Sequence, residues 1–309
     1  MIELFARSKG MGEAVSLAER VSATDSTVLI TGESGVGKDV LAAFVHSRSA
    51  RARYPFVKID CATLPGDLLE AELFGYERGA FTGASEAKPG RLEAANEGTV
   101  VLDEIAHLST DAQAKLLRVI EEREFERLGG RSTIKLNVRL IALTNVDLDE
   151  AVKRRGFRAD LYYRLNVIHI IVPPLREREA DLLQLVNHFI AQYASKHGRE
   201  VGSISKSALA MLQAYDFPGN ARELANIVER AVIVANRNRL DVEHLPPSLI
   251  LAAKVSRERA NPLSLAQIEA AYVADILEAT GGNKSECARI LGISRKNLYE
   301  KIARYKLDV

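Results

Sequence analysis

The chain has 309 residues, 47% of them hydrophobic and 27% charged, with a net charge of +1. This length supports two or three folded units, and the composition excludes a disordered or collagen-like chain. No apolar run approaches the ~20 residues of a membrane-spanning helix, and near-neutral charge confines any nucleic-acid surface to a local patch. The opening Met1-Ile2-Glu3-Leu4-Phe5 lacks the basic and long apolar regions of a signal peptide. Cys61 and Cys287 lie far apart without metal-ligand spacing and are expected to be reduced core residues of a cytoplasmic protein. The six histidines form no HxxxH or HxxEH pattern, so no metal is assigned to them.

In chain order, strand-length apolar runs occur at Val28-Leu29-Ile30, Phe56-Val57-Lys58-Ile59, Thr99-Val100-Val101-Leu102, Arg139-Leu140-Ile141-Ala142-Leu143 and Val167-Ile168-His169-Ile170-Ile171-Val172. Their β-branched content predicts strands buried on both faces, and the intervening helical segments predict an α/β fold with a parallel sheet covered on both sides. Pro173-Pro174 ends the pattern, since neither proline can donate to a ladder. From Leu175 to about Leu245 the expectation is all-helical, with apolar residues at three- and four-residue spacing over 180–196, 206–214 and 222–236. Pro218-Gly219-Asn220 separates the last two. A linker is expected around Pro246-Pro247 to Pro262, where Lys254, Arg257, Glu258 and Arg259 crowd a poorly periodic stretch.

Three motifs carry chemistry. Gly32-Glu33-Ser34-Gly35-Val36-Gly37-Lys38 follows a strand and opens a helix from about Asp39, the setting in which glycine-rich backbone closes around phosphate oxygens. Lys38 would reach the β- and γ-phosphates of a nucleotide. Val100-Val101-Leu102-Asp103-Glu104 is an apolar strand ending in two carboxylates. They suit a magnesium ion and an attacking water, or alternatively cap the following helix. Between these lies Gly79-Ala80-Phe81-Thr82-Gly83-Ala84, after a helical segment at 67–74. It is either an ordinary glycine-rich turn with Phe81 folded into the core, or an exposed tip that a partner covers.

Together these residues resemble the AAA+ activators of sigma-54 RNA polymerase, the bacterial enhancer-binding proteins, over nearly the whole chain. In that family GAFTGA (79–84) is the loop that contacts the sigma factor. The resemblance implies ATP and Mg2+ as cofactors, Asp103 as a magnesium ligand directly or through water, and Glu104 as the residue that polarises water. Thr144-Asn145 matches the sensor I position beside the γ-phosphate. The segment from Gly156 to Leu165 resembles the arginine-finger region, with Arg158 and Arg164 as candidates acting on a neighbouring subunit's nucleotide. Phe217-Pro218-Gly219-Asn220-Ala221-Arg222-Glu223-Leu224 resembles sensor II, where Arg222 would touch the nucleotide of its own subunit. Fingers in trans require a ring, and the family forms hexamers. Two departures stand out. Asp39 replaces the Ser or Thr of the general phosphate-loop pattern, and can meet magnesium through water without being a firm ligand. Asp60 stands where the family usually has Asn, so it would repel Glu104 instead of donating to it, loosening the coupling between sigma contact and hydrolysis.

The C-terminal stretch from Gly282 to Ile302 looks like a Fis-type helix-turn-helix. Ala288 allows close helix approach, Gly292 the turn, and Ser294 a cap. Residues 281–307 hold seven Lys/Arg against two Asp/Glu, the local excess expected of phosphate binding. Ile290, Leu291, Ile293, Leu298 and Ile302 are expected in its core. Ser294, Arg295, Asn297, Tyr299 and Lys301 are the DNA-binding candidates. The preceding amphipathic helix (Leu265, Ile268, Tyr272, Ile276) would pair two modules on a palindromic enhancer site, making the dimer the DNA-binding unit.

The expected organisation is a nucleotide-binding α/β domain over 1–173, a helical lid over 174–248, a linker over 249–261 and a DNA-binding domain over 262–309. Most family members carry an N-terminal sensory domain. None fits ahead of Val28, which implies either a shortened chain or control by a separate regulatory protein. Competing readings are a DNA-binding regulator that does not activate sigma-54, against which the intact GAFTGA stands, and another AAA+ machine such as a chelatase or loader subunit, against which the Fis-like end stands.

Overall fold

A computed structural model describes residues 4–236, 238–247, 249, 264–305 and 307. The chain divides into two compact units, Met1–Pro246 and Pro247–Val309. Five strands of the first unit, β1 (Val28–Thr31), β2 (Phe56–Asp60), β3 (Thr99–Asp103), β4 (Arg139–Thr144) and β5 (Ile168–Ile171), form one parallel sheet in the order β2-β3-β4-β1-β5. The main helices of this unit are α1 (Lys9–Ser22), α2 (Lys38–Ser47), α3 (Gly66–Phe74), α4 (Thr110–Glu122), α5 (Ala159–Leu165), α6 (Glu179–His197), α7 (Lys206–Gln213) and α8 (Asn220–Val234).

Alternation along the strands sends side chains to opposite faces, and each face finds helices to cover it. Val28, Ile30, Val101, Ile141 and Leu143 pack with Met11, Ala18 and Val21 of α1 and Leu41 and Val45 of α2. Leu29, Val100, Leu102, Leu140 and Ala142 pack with Leu69 and Leu73 of α3, Leu116 and Val119 of α4, and Leu161 and Leu165 of α5. Each fully buried aliphatic side chain of this kind contributes about 1.5–3 kcal/mol. The expectation of burial on both faces holds for β1, β3 and β4. It fails for β2 and β5, where Phe56 and Ile171 are exposed, because the strand order leaves those two at the edges. Local capping sets several helix starts: the Ser109 hydroxyl accepts from Ala112 N at the head of α4, and Ser205 does the same for Ala208 N at α7.

The region after Pro174 is not wholly helical. Ser203–Ile204, beside α6, and Arg239–Leu240 form a short parallel pair. The linker expected over 249–261 lies outside the described residues, Leu249 apart.

The second unit comprises α9 (Leu265–Ala279), α10 (Lys284–Leu291) and α11 (Arg295–Tyr305). Val273, Leu277, Cys287, Ala288 and Leu298 form its buried core, with Ile276, Leu291, Ile293 and Ile302 packed against them. Ile290 is a correction: it is 47% exposed. The buried face of α10 is centred on Cys287, Ala288 and Leu291, and Ile290 falls outside that stripe. Among the described residues no helix is long and apolar enough to cross a membrane.

Candidate active site

The C-terminal ends of β1, β3 and β4 lie side by side, the edge where open parallel sheets carry their ligands. The phosphate-loop sequence leaves β1 there and enters α2 at Lys38. The Lys38 side chain is folded onto that loop, donating to the carbonyls of Gly32 (2.8 Å) and Glu33 (3.2 Å). Burial draws its ammonium below the ordinary lysine pKa, with Glu104 and Asp103 pulling the other way.

The lid turn rests directly on this loop. Gly35 has φ 77°, and a Cβ there would stand 2.3 Å from the carbonyl oxygen of Gly219 and 3.1 Å from Cβ of Arg222. Only glycine permits that approach. Arg222 donates from its backbone N to Gly35 O (3.3 Å) and from Nη1 to Ser34 Oγ (3.2 Å), so the sensor II candidate sits on the loop it is expected to watch. Glu33 has another partner set. Its carboxylate accepts a fork from Arg176 (3.0 and 2.6 Å) and a third bond from Asn220 Nδ2 (3.0 Å). The Arg176 guanidinium, then Asn220, holds its pKa at about 2. The side chain of Glu33 therefore ties loop to lid, leaving its backbone to the phosphate cradle. Asn220, fully buried, also donates to Ser34 O (3.0 Å) and accepts from Leu175 N (2.8 Å). Arg176 has no signature in sequence, and Asn220 stands there only as part of the helix break and of the sensor II stretch, with no role of its own. Its type suits the positive φ of 52° that it adopts.

At the end of β3, Glu104 is held at φ 53°, ψ 49°, in the left-handed region. Its Oε2 accepts from Asn145 N (3.3 Å), bringing the water-polarising candidate and the sensor I candidate together. Asp103 and Asp39 share one cation: Lys58 Nζ lies 2.8 Å from Asp103 Oδ2 and 3.6 Å from Asp39 Oδ2. Burial works against the Lys58 charge, yet the hydrogen bond to Asp103 keeps its pKa above the ordinary value. Lys58 is the lone charge in the run Phe56-Val57-Lys58-Ile59, and only that oddity marked it in sequence. The two carboxylates, hard oxygen donors beside the phosphate loop, fit magnesium, which takes one or two carboxylates plus phosphate oxygens. Asp60 turns its Oδ1 to Ala62 N (2.9 Å), capping its own turn. Behind it, burial and the nearby Asp60, Asp103 and Glu104 push the Cys61 thiol up to about 12.

A cavity of about 160 Å³ opens between the phosphate loop, the N-terminal segment and the lid, lined among others by Phe5, Val36, Val40, Leu185 and Phe189. Its wall is braced by a buried pair. Arg178 donates to Asp181 (3.1 Å) and to Phe5 O (3.0 Å), while Asp181 accepts from Ser8 N (3.0 Å) and Ser8 Oγ (2.7 Å). This apolar slot had no signature in sequence, because its lining comes from four separated segments.

Arg158 and Arg164 lie at the two ends of α5 and are paired locally: Arg158 forks to Asp160 (3.0 and 2.7 Å), and Arg164 donates to Glu121 (2.8 Å). Within the chain they are therefore not drawn into the phosphate-loop cluster.

The Gly79–Ala84 hexapeptide caps an arm. Gly75–Tyr76 pairs antiparallel with Lys88–Pro89, and Gly79 N donates to Ala84 O (2.8 Å) across the tip. Phe81 is neither core nor free: it is 42% exposed and leans edge-on against Tyr76, with ring centroids 4.9 Å apart. Thr82 is exposed beside it. A second hairpin, Glu124–Glu126 with Thr133–Lys135, props the arm. Leu128 exchanges backbone hydrogen bonds with Gly75 and Glu77, and Arg127 grips both Glu93 (2.9 and 2.7 Å) and Glu77 (3.1 Å). This support was not anticipated.

In the C-terminal unit, Ser294 Oγ accepts from Asn297 N (3.2 Å) at the head of α11, and Asn283 caps α10. Arg295, Asn297 and Tyr299 are exposed. Lys301 differs from them. It is bonded to Glu269 of α9, which also accepts from the Tyr305 hydroxyl. Leu265, Ile268 and Tyr272 present an exposed apolar stripe.

The model of the sigma-54 interaction domain matches residues 4–171, that of the AAA+ ATPase lid domain 176–262, and that of the Fis family of bacterial regulatory proteins 264–305. Regulatory protein AtoC of Escherichia coli (strain K12) is 43% identical over 314 residues, covering 99% of this chain and 68% of AtoC. Nitrogen fixation protein VnfA of Azotobacter vinelandii is 45% identical over 309 residues, covering 99% of this chain and 59% of VnfA. Among solved structures, NtrX from Brucella abortus in complex with ATP superposes with a TM-score of 0.74 at 34% identity, over 99% of this chain and 70% of that one.

Proposed function

The chain belongs to the family of sigma-54-dependent AAA+ ATPase regulators, and from that premise we propose that it couples ATP hydrolysis to remodelling of sigma-54 RNA polymerase. The observation that carries the reading is the exposed Phe81-Thr82 tip on an arm whose base packs on α3.

The base of ATP enters the cavity beside Phe5 and Val36, and its phosphates meet the backbone of residues 32–37, Lys38 and Arg222. Asp103, with Asp39 sharing its Lys58 partner, would hold Mg2+, which when bound supplies positive charge against the phosphates. Glu104, oriented through Asn145, polarises the attacking water. Arg158 and Arg164, supplied by a neighbouring subunit of a hexameric ring, neutralise charge in the transition state, an effect worth roughly 10³–10⁵ in rate where such fingers have been measured. The Glu33–Arg176–Asn220 tie passes the state of the phosphate loop to the lid. Arm and supporting hairpin move together, since Leu128 and Arg127 of the hairpin bond Gly75 and Glu77 of the arm, and the tip drives the polymerase from closed to open complex.

The C-terminal unit binds palindromic enhancer DNA as a dimer through the exposed stripe of α9. Arg295, Asn297 and Tyr299 reach the groove, Ser294 fixes the start of the helix, and Lys301 positions α11 from behind.

The test is capture of purified sigma-54 by the chain in ADP with aluminium fluoride, beside Thr82→Ala. Capture that needs the transition-state mimic and is lost in the variant is expected. No capture by a chain that still hydrolyses ATP would assign the ATPase to another target.

A further inference from the structure

Asp39 adds a negative charge where the general phosphate-loop pattern carries a neutral hydroxyl, and Lys58 adds a positive charge 3.6 Å from it. The same ammonium bonds Asp103 at 2.8 Å. Lys58 arrives from the neighbouring strand, two residues before the end of β2, and its side chain is 39% exposed, so it fills no core position. Nothing in packing requires a lysine there, whereas its ammonium lies within 3.6 Å of both carboxylates.

From this juxtaposition we infer that Lys58 is a built-in counter-ion that competes with the divalent metal for Asp103 and Asp39, and so sets how much Mg2+ the site needs. Before metal arrives, the ammonium keeps the two carboxylates together and aimed at the phosphate loop. With Mg2+ bound, both carboxylates would be released from the ammonium, so its charge opposes metal entry at Asp103 and Asp39 alike. Lys58 is thus a positioning residue that acts through the metal ligands, and it compensates the acidic residue that this chain carries after Lys38. The inference rests on the nucleotide-site reading given above.

The experiment measures Mn2+ affinity by electron paramagnetic resonance of the full chain with saturating ADP. In parallel, a fluorescent ADP analogue is titrated in EDTA to read nucleotide binding without metal. Lys58→Met is expected to tighten Mn2+ about tenfold, since removing one half-exposed charge next to a dication has a screened effect of that order. Lys58→Arg, which keeps the charge, should stay near the unaltered chain. Asp39→Asn should weaken Mn2+, and adding it to Lys58→Met should return the affinity toward the starting value. Unchanged or weaker Mn2+ binding in Lys58→Met, with nucleotide binding intact in EDTA, would overturn the inference alone. Failure of the unaltered chain to bind the ADP analogue at all would overturn the nucleotide reading and this inference with it.

Discussion

Asn220 is where the geometry makes its sharpest energetic statement. Its side chain is fully buried, accepts from Leu175 N at 2.8 Å, and donates to Glu33 Oε2 and Ser34 O at 3.0 Å each, all from a residue at φ 52°. Asn220→Ala removes all three bonds. It leaves the N–H of buried Leu175 and the Ser34 carbonyl without these partners, at about 1–3 kcal/mol for a group left unsatisfied. It also forces alanine into the left-handed region, at about 1–2 kcal/mol. The expected loss is about 3–5 kcal/mol in urea denaturation followed by far-ultraviolet circular dichroism, together with weaker binding of a fluorescent ADP analogue. Asn220→Gly loses the same bonds but not the backbone freedom, so it should cost about 1 kcal/mol less than alanine. Asn220→Asp keeps the bond from Leu175 but turns an oxygen toward Glu33 and Ser34 O. It should weaken nucleotide binding at least as much as alanine does. An alanine variant within about 1 kcal/mol of the parent, or a glycine variant less stable than alanine, would refute the reasoning.

The Glu33 carboxyl, held at about 2 by Arg176 and then Asn220, has a folded pKa depressed from 4.5. Its contribution to the loop–lid tie is therefore complete above about pH 4.5 and is lost as pH falls through about 2. A carbon-detected NMR titration should find that midpoint low, and Arg176→Met should move it back up. In DNA binding, Arg295→Ala should lower affinity and reduce the salt slope by about one, as for loss of a phosphate or base contact. Lys301→Ala, whose ammonium is bonded to Glu269, should instead lower the melting temperature of the C-terminal unit and leave the slope nearly unchanged. Because Cys61 and Cys287 are buried and burial raises both thiols, the folded chain should resist a thiol reagent that modifies both after denaturation.

What sequence determined by itself is whatever a short contiguous stretch encodes. The glycine spacing from Gly32 to Gly37, the apolar run ending in Asp103-Glu104 and the caps Ser294 and Asn283 act within one or two turns of backbone. Their residue types announce their geometry before any long-range contact forms. The same holds for the five strand runs, whose β-branched content marks a parallel sheet, and for the Gly-flanked hexapeptide, recognisable by its identity alone. Tertiary structure decided everything that joins distant segments. Glu33 meets Arg176 and Asn220 across more than 140 residues of sequence, and Lys58 meets Asp39 and Asp103 from a different strand. Single polar residues of this kind leave at most a faint local trace, such as the lone charge of Lys58 in an apolar run. Strand order is likewise silent in the sequence, and it alone left Phe56 and Ile171 exposed at the sheet edges. Lys301 shows the same limit on a smaller scale. Sequence marked it as one more cation on a basic helix, but the packing of α9 against α11 set Glu269 beside it, and its ammonium is paired within the unit.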